Sequence, residues 1–71
     1  MKTVSDIVQA FGGPVAFAAF FEMPLPTVHT CRRRNYLPPH RDVDVVTEAM
    51  RRKLSLSYED LAQMRRGSAP P

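Results

Sequence analysis

The sequence predicts a small all-α domain, a bundle of about five short helices containing a helix-turn-helix in helices two and three. Apolar residues recur at helical spacing in several segments, and Gly, Pro and Asn punctuate the chain between them. No run alternates apolar and polar residues about a turn, as paired strands would. A chain of 71 residues is one domain, and at this size folding removes only about 60% of the unfolded surface from water. Residues 1–66 are expected to form that domain. Residues 67–71, Gly-Ser-Ala-Pro-Pro, read as a disordered tail.

Thr3 followed by Asp6 resembles a capping box, and Val4, Ile7, Val8 and Phe11 then recur at i, i+3, i+4 and i+7, so the first helix is expected over 4–11. Gly12-Gly13 stops it, and Pro14 suits the first position of helix two, where no N–H is needed. Helix two carries no charge until Glu22, so it is expected to be covered on most sides. The phenylalanines at 11, 17, 20 and 21 are read as core, with room for one to face a partner. Met23-Pro24-Leu25-Pro26 interrupts the pattern, because each proline disfavours α conformation in the residue before it. Pro26 is tolerable in the first turn of a third helix that runs to Arg34, and Asn35 ends it in the left-handed conformation. A fourth helix is expected from Pro39 to about Lys53, burying Val43, Val46 and Met50 with Val45 and Ala49 beside them, and pointing Asp44 and Glu48 outward. Ser57 and Asp60 repeat the capping box ahead of a fifth helix, whose inward residues are Leu61 and Met64.

Ten basic residues against seven acidic ones give a net charge of +3. The excess is not spread evenly. Met1 to Cys31 holds Lys2, Asp6 and Glu22 and is net −1, whereas the chain from Arg32 onward carries nine basic and five acidic residues, net +4. That asymmetry leans toward an anionic partner. The lone Cys31 excludes an internal disulfide, which points to a cytoplasmic protein. No apolar run approaches the ~18 residues of a membrane span, and Val15 to Phe21 lacks the flanks of a signal peptide, so no membrane partner is expected.

Helix two, a turn of three or four residues and helix three have the spacing of a helix-turn-helix. From Gly12-Gly13 to Leu37-Pro38 the chain resembles the Cro-type, lambda-repressor-like DNA-binding proteins, especially the YdaS-like antitoxin and small phage-repressor branch. Gly12-Gly13, Ala16-Phe17-Ala18, Val28 and Arg34-Asn35-Tyr36-Leu37-Pro38 fall on that family's Gly-Gly, core-helix, anchor and Arg-Gly-x-Ile-Pro positions. Four positions depart from it. Glu22 stands where the turn usually has Gly, Pro24 replaces a Ser or Thr cap, Cys31 replaces a larger anchor, and Asn35 replaces the Gly after the arginine. Asn tolerates the left-handed state, Cys is a small hydrophobe and Pro can open a helix, so Glu22 fits least. The resemblance implies a bacterial or phage transcription regulator, nucleoid-associated and acting as a homodimer on double-stranded DNA.

On a helical wheel Val28 and Cys31 define the inward side of helix three. The outward face then carries Pro26, His29, Thr30 and Arg33, the candidate base readers, because Arg pairs bidentately with guanine and the others reach base edges or a thymine methyl. Thr27, Arg32 and Arg34 flank that face as candidate phosphate contacts. Three consecutive arginines are commonly a solvated helix end. Their position on the second helix of the motif favours nucleic acid here. Arg51-Arg52-Lys53 and Arg65-Arg66 lack that context and read as solubilising helix ends.

No cofactor or metal is expected, since His29 and Cys31, two apart, point to opposite sides of a helix. No catalytic set can be assembled from the seven acids, so an enzyme is not expected. The leading expectation is a repressor-like, sequence-specific DNA-binding regulator. The alternative is a protein-interaction module on the same scaffold, such as an antitoxin bound to a toxin, an adaptor or an anti-repressor meeting the transcription machinery.

Overall fold

The computed structural model describes residues 3–67, which form five α-helices and a single 3-10 turn: α1 (Val4–Ala10), α2 (Pro14–Phe20), α3 (Leu25–Arg34), the turn Pro39–Arg41, α4 (Asp42–Arg51) and α5 (Tyr58–Arg66). The fold is a small all-α bundle, as the sequence predicts. Gly67 closes α5 by donating to the Gln63 carbonyl, and residues 68–71 of the expected tail lie outside the described residues.

Both capping boxes are formed. Thr3 and Asp6 bond reciprocally at the start of α1, and Ser57 and Asp60 do so at the start of α5. The helix ends are more informative, because α1 through α4 all stop in the same way. In each, a residue with positive φ is followed by an N–H that reaches back five residues: Gly13 to the Val8 carbonyl, Met23 to Ala18, Tyr36 to Cys31 and Leu54 to Ala49, at 2.8–3.1 Å. The left-handed residues are Gly12, Glu22, Asn35 and Lys53. Glu22, the least expected residue in the helix-turn-helix turn, therefore takes the backbone conformation that glycine would supply. Asn35 does more than reverse the chain. Its Oδ1 accepts the Val4 N–H at 2.8 Å, tying the end of α3 to the start of α1.

The core combines a cluster of three aromatic rings with aliphatic side chains. Phe11, Phe17 and Phe21 pack with ring centroids 4.7–5.7 Å apart. Val4, Ile7, Val8, Val28, Leu37, Val45 and Leu61 are almost wholly buried around them. Helix α2 is less enclosed than its composition suggests. Phe17 and Ala18 face inward, but Val15 and Phe20 remain 69% and 49% exposed, with Ala16 and Ala19 also on the surface. A domain this small covers only one side of a peripheral helix.

Helix α4 also differs from expectation. Pro38 and Pro39 lead into the 3-10 turn, so the α-helix starts at Asp42 and stops at Arg51, short of Lys53. Val45, Val46, Ala49 and Glu48 face inward, whereas Val43 and Met50 are 61% and 69% exposed. Glu48 turns inward because two guanidinium groups satisfy it: Arg51 and Arg52 both donate to its carboxylate. Arg52 simultaneously lies over the Phe11 and Phe20 rings, 4.8 and 5.0 Å from their centroids. It joins α4 to the aromatic core and is not a solubilising group. Arg65 likewise forms a bidentate pair with Asp42 at 2.7–2.9 Å and bonds the Leu37 carbonyl, fastening α5 to the start of α4. Arg66 pairs with Glu59 on the surface.

The left-handed stops predict opposite responses to glycine. Glu22→Gly removes the steric cost of positive φ and should be neutral or stabilising by up to about 1 kcal/mol. Asn35→Gly keeps the conformation but leaves the Val4 N–H without its acceptor, and should cost about 1 kcal/mol in urea unfolding.

Glu48 predicts an acid dependence. Hydrogen bonds from Arg51 and then Arg52 lower its carboxyl from 4.5 to about 2. With the folded value below the unfolded one, its contribution to stability is present above about pH 4.5 and is lost as pH falls toward 2. Glu48→Gln should therefore lower the urea midpoint at pH 7, and the gap from the parent chain should close as the pH approaches 2.

Candidate nucleic-acid interface

Residues Phe21 to Pro24 join α2 to α3, and these two helices make the most extensive interhelix contact of the fold. Two interactions set that turn. Met23 N–H bonds the Ala18 carbonyl at 2.9 Å across left-handed Glu22, and Arg41 Nη1 donates to the Phe21 carbonyl at 2.9 Å. Pro24 then caps α3 in extended conformation (ψ 138°), and its carbonyl accepts the Thr27 and Val28 N–H groups. Pro26 sits in the first turn, where a missing N–H costs nothing.

Val28 and Cys31 are the inward residues of α3, packed in the core shared with α1 and α2. Burial pushes the Cys31 thiol above its usual value, against the opposing pull of the Arg41 charge.

Pro26, His29 and Arg33 are exposed and Thr30 is half-buried; their spacings of three, four and seven residues put them along one side of the helix. Thr30 Oγ1 donates to the Pro26 carbonyl at 3.0 Å, so its hydroxyl retains an acceptor lone pair and its methyl for an outside group. Ten residues make α3 about 15 Å long, a rod that fits a major groove about 12 Å wide. Thr27 and Arg34 are exposed on one flank, where they line a half-open hollow of about 170 Å³ with Thr30, Cys31, Tyr36 and Pro38. Tyr36 belongs to this surface and was not among the sequence candidates. The signal that could have found it is its place directly after the left-handed Asn35, where the chain folds back beside the helix. Arg32 stands on the opposite flank, half-buried, with its Nε sealed from solvent and without a hydrogen-bond partner. Its stem lies against the core rim, leaving the terminal amines to reach outward.

The charge distribution divides the arginines. Arg51, Arg52, Arg65 and Arg66 pair with Glu48, Asp42 or Glu59, and Arg41 is engaged by a carbonyl. Among the described residues, Arg32, Arg33 and Arg34 have no carboxylate within ion-pair distance. Three of the five described cations that meet no carboxylate are therefore gathered at the C-terminal turn of α3, Arg41 and Lys53 being the other two. Among the described residues there is also no helix long and apolar enough to cross a membrane.

Comparison with protein-family models, with curated proteins and with solved structures finds no match to this chain.

The inward face of α3 generates a stability prediction. Val28→Ala should destabilise the fold by about 1–3 kcal/mol, and Cys31, 7% exposed in the lining of the hollow, should react with a thiol reagent far more slowly than an exposed cysteine. Rapid labelling of the native protein would put Cys31 on the surface and require α3 to be rotated.

Proposed function

We propose that this chain is a sequence-specific DNA-binding regulator of the repressor-like, Cro-type kind, which inserts α3 into the major groove and binds a two-fold operator as a homodimer. The observation that carries the proposal is the set of unpaired arginines on a helix whose remaining outward side chains are groove-compatible. Elsewhere Arg51, Arg52, Arg65 and Arg66 each meet a carboxylate, and Arg41 is held by the Phe21 carbonyl. On α3 three guanidinium groups face outward or flank the outward face.

In this reading Arg33, with Pro26, His29 and Thr30, meets base edges, while Thr27, Arg32 and Arg34 hold the phosphates on either side. One helix supplies too little surface for specific binding, which usually takes about 1,000 Å² or more, so two copies are needed. A two-fold dimer would set its two α3 helices at half-sites ~34 Å, one DNA turn, apart. Cytoplasmic, nucleoid-associated residence in a bacterium or phage-infected cell follows from this activity.

A second reading is favoured by one observation. The outer side of α2 presents Val15, Ala16, Ala19 and Phe20 without a charged residue among them. Such a face suits a protein partner, as in an antitoxin, adaptor or anti-repressor. Salt separates the two activities, since phosphate contacts release counterions and weaken steeply with salt, whereas an apolar interface does not.

Fluorescence anisotropy against DNA selected from a random pool tests the base-reading assignment. Arg33→Ala should cost about 1–3 kcal/mol on the selected site and relax preference at one base pair, while Arg32→Ala should weaken all sequences alike and reduce the salt slope by about one. Equal losses for both variants on selected and random DNA would sink the division of roles.

A further inference from the structure

The outward side of α4 is organised in two strips. Thr47 occupies its middle; Val43 and Met50 run along one edge and Asp44 and Arg51 along the other, all five exposed. Each edge holds two residues seven apart, about 10 Å along the axis. That separation is too long for Asp44 to pair with Arg51 of its own helix. Met50 and Val43 likewise have no helix of this chain covering them.

We propose that this face is a self-complementary seam at which two copies of the chain pair antiparallel, about a two-fold axis passing beside Thr47. The midpoints of the two edges, between Val43 and Met50 and between Asp44 and Arg51, fall half a residue to either side of Thr47. An antiparallel two-fold therefore sets Val43 against the second copy's Met50 along the apolar edge, and Asp44 against the second copy's Arg51 along the charged edge, each contact made twice. Like meets like in polarity and opposite meets opposite in charge. Parallel pairing fails this test, because a two-fold along the helix axes lays the charged edge of one copy on the apolar edge of the other. Arg51 keeps its bond to Glu48 in the seam, and that bond holds the guanidinium at the helix surface.

Two helices of ten residues cover less than the ~1,200 Å² typical of stable complexes, so the seam associates weakly in free solution and strengthens when adjacent half-sites hold two copies together. The seam rests on the dimeric part of the function proposed above and supplies the surface for it.

The experiment uses the full chain without DNA, at concentrations up to about 1 mM, where weak association is measurable. Sedimentation equilibrium should show a concentration-dependent dimer, weakened about ten-fold or more by Asp44→Arg, which sets like charges against each other, and by Met50→Asp. Circular dichroism should show unchanged helicity for both variants, since each position is exposed. Under mild oxidation Thr47→Cys should form a covalent dimer and a Gln9→Cys control on α1 should not. A chain that stays monomeric throughout with no Thr47→Cys cross-link, or a dimer indifferent to Asp44→Arg and Met50→Asp, would overturn the seam. A dimer with these sensitivities that binds no DNA would instead overturn the DNA reading and leave the seam standing.

Discussion

A left-handed residue ends each of the first four helices, and the arrangement of everything else depends on those reversals. Helices of seven to ten residues are too short to persist alone, so each survives only by being turned at once onto a neighbour. Gly12, Glu22, Asn35 and Lys53 make the turn within one residue, and the N–H that follows satisfies a carbonyl the helix would otherwise leave open. Only one of the four is glycine. The other three hold positive φ ahead of residues buried in the core, Met23 after Glu22, Leu37 after Asn35 and Leu56 after Lys53. The reversal at Glu22 sets α3 across α2. The one at Asn35, through its bond to Val4, fixes the far end of α3 against α1.

Arginine serves two ends in this molecule, and the difference lies in what faces each guanidinium. Arg52 lies over two aromatic rings and shares Glu48 with Arg51; Arg65 grips Asp42 in a fork. These groups tie α4 and α5 to the rest of a domain whose apolar core is too small to do so alone. With those carboxylates taken, the arginines of α3 keep their charge unpaired. Structural ion pairing and the candidate nucleic-acid surface are thus two results of one distribution of acids.

The exposed apolar residues sort the same way. On α2 they border the Arg52 guanidinium that lies over the Phe20 ring, whereas on α4 they sit beside a charged edge whose signs oppose from end to end. The first offers a partner apolar area with one cation at its edge. The second carries direction, because its pattern matches itself only when reversed.

What the sequence by itself determined is largely local. Capping boxes at Thr3 and Ser57, the glycine and proline stops, left-handed Asn35, and the inward pair Val28 and Cys31 with exposed His29 and Arg33 between and beyond them all follow from residue chemistry and helical period. Glu22 was legible as the turn residue but not as a left-handed one, since nothing in a glutamate side chain favours that state; the packing of Met23 and the α2–α3 contact impose it. Only the tertiary structure decided which of two interleaved stripes on α4 would be buried. Val43, Val46 and Met50 have as good a helical period as Val45, Val46 and Ala49; the second stripe is the buried one, and Glu48 on its side is tolerated there because Arg51 and Arg52 pair with it. The fate of each arginine was hidden for the same reason. Whether a guanidinium is solvated, stacked on a ring or matched to a carboxylate depends on groups far away in the chain, and helical spacing carries no information about them.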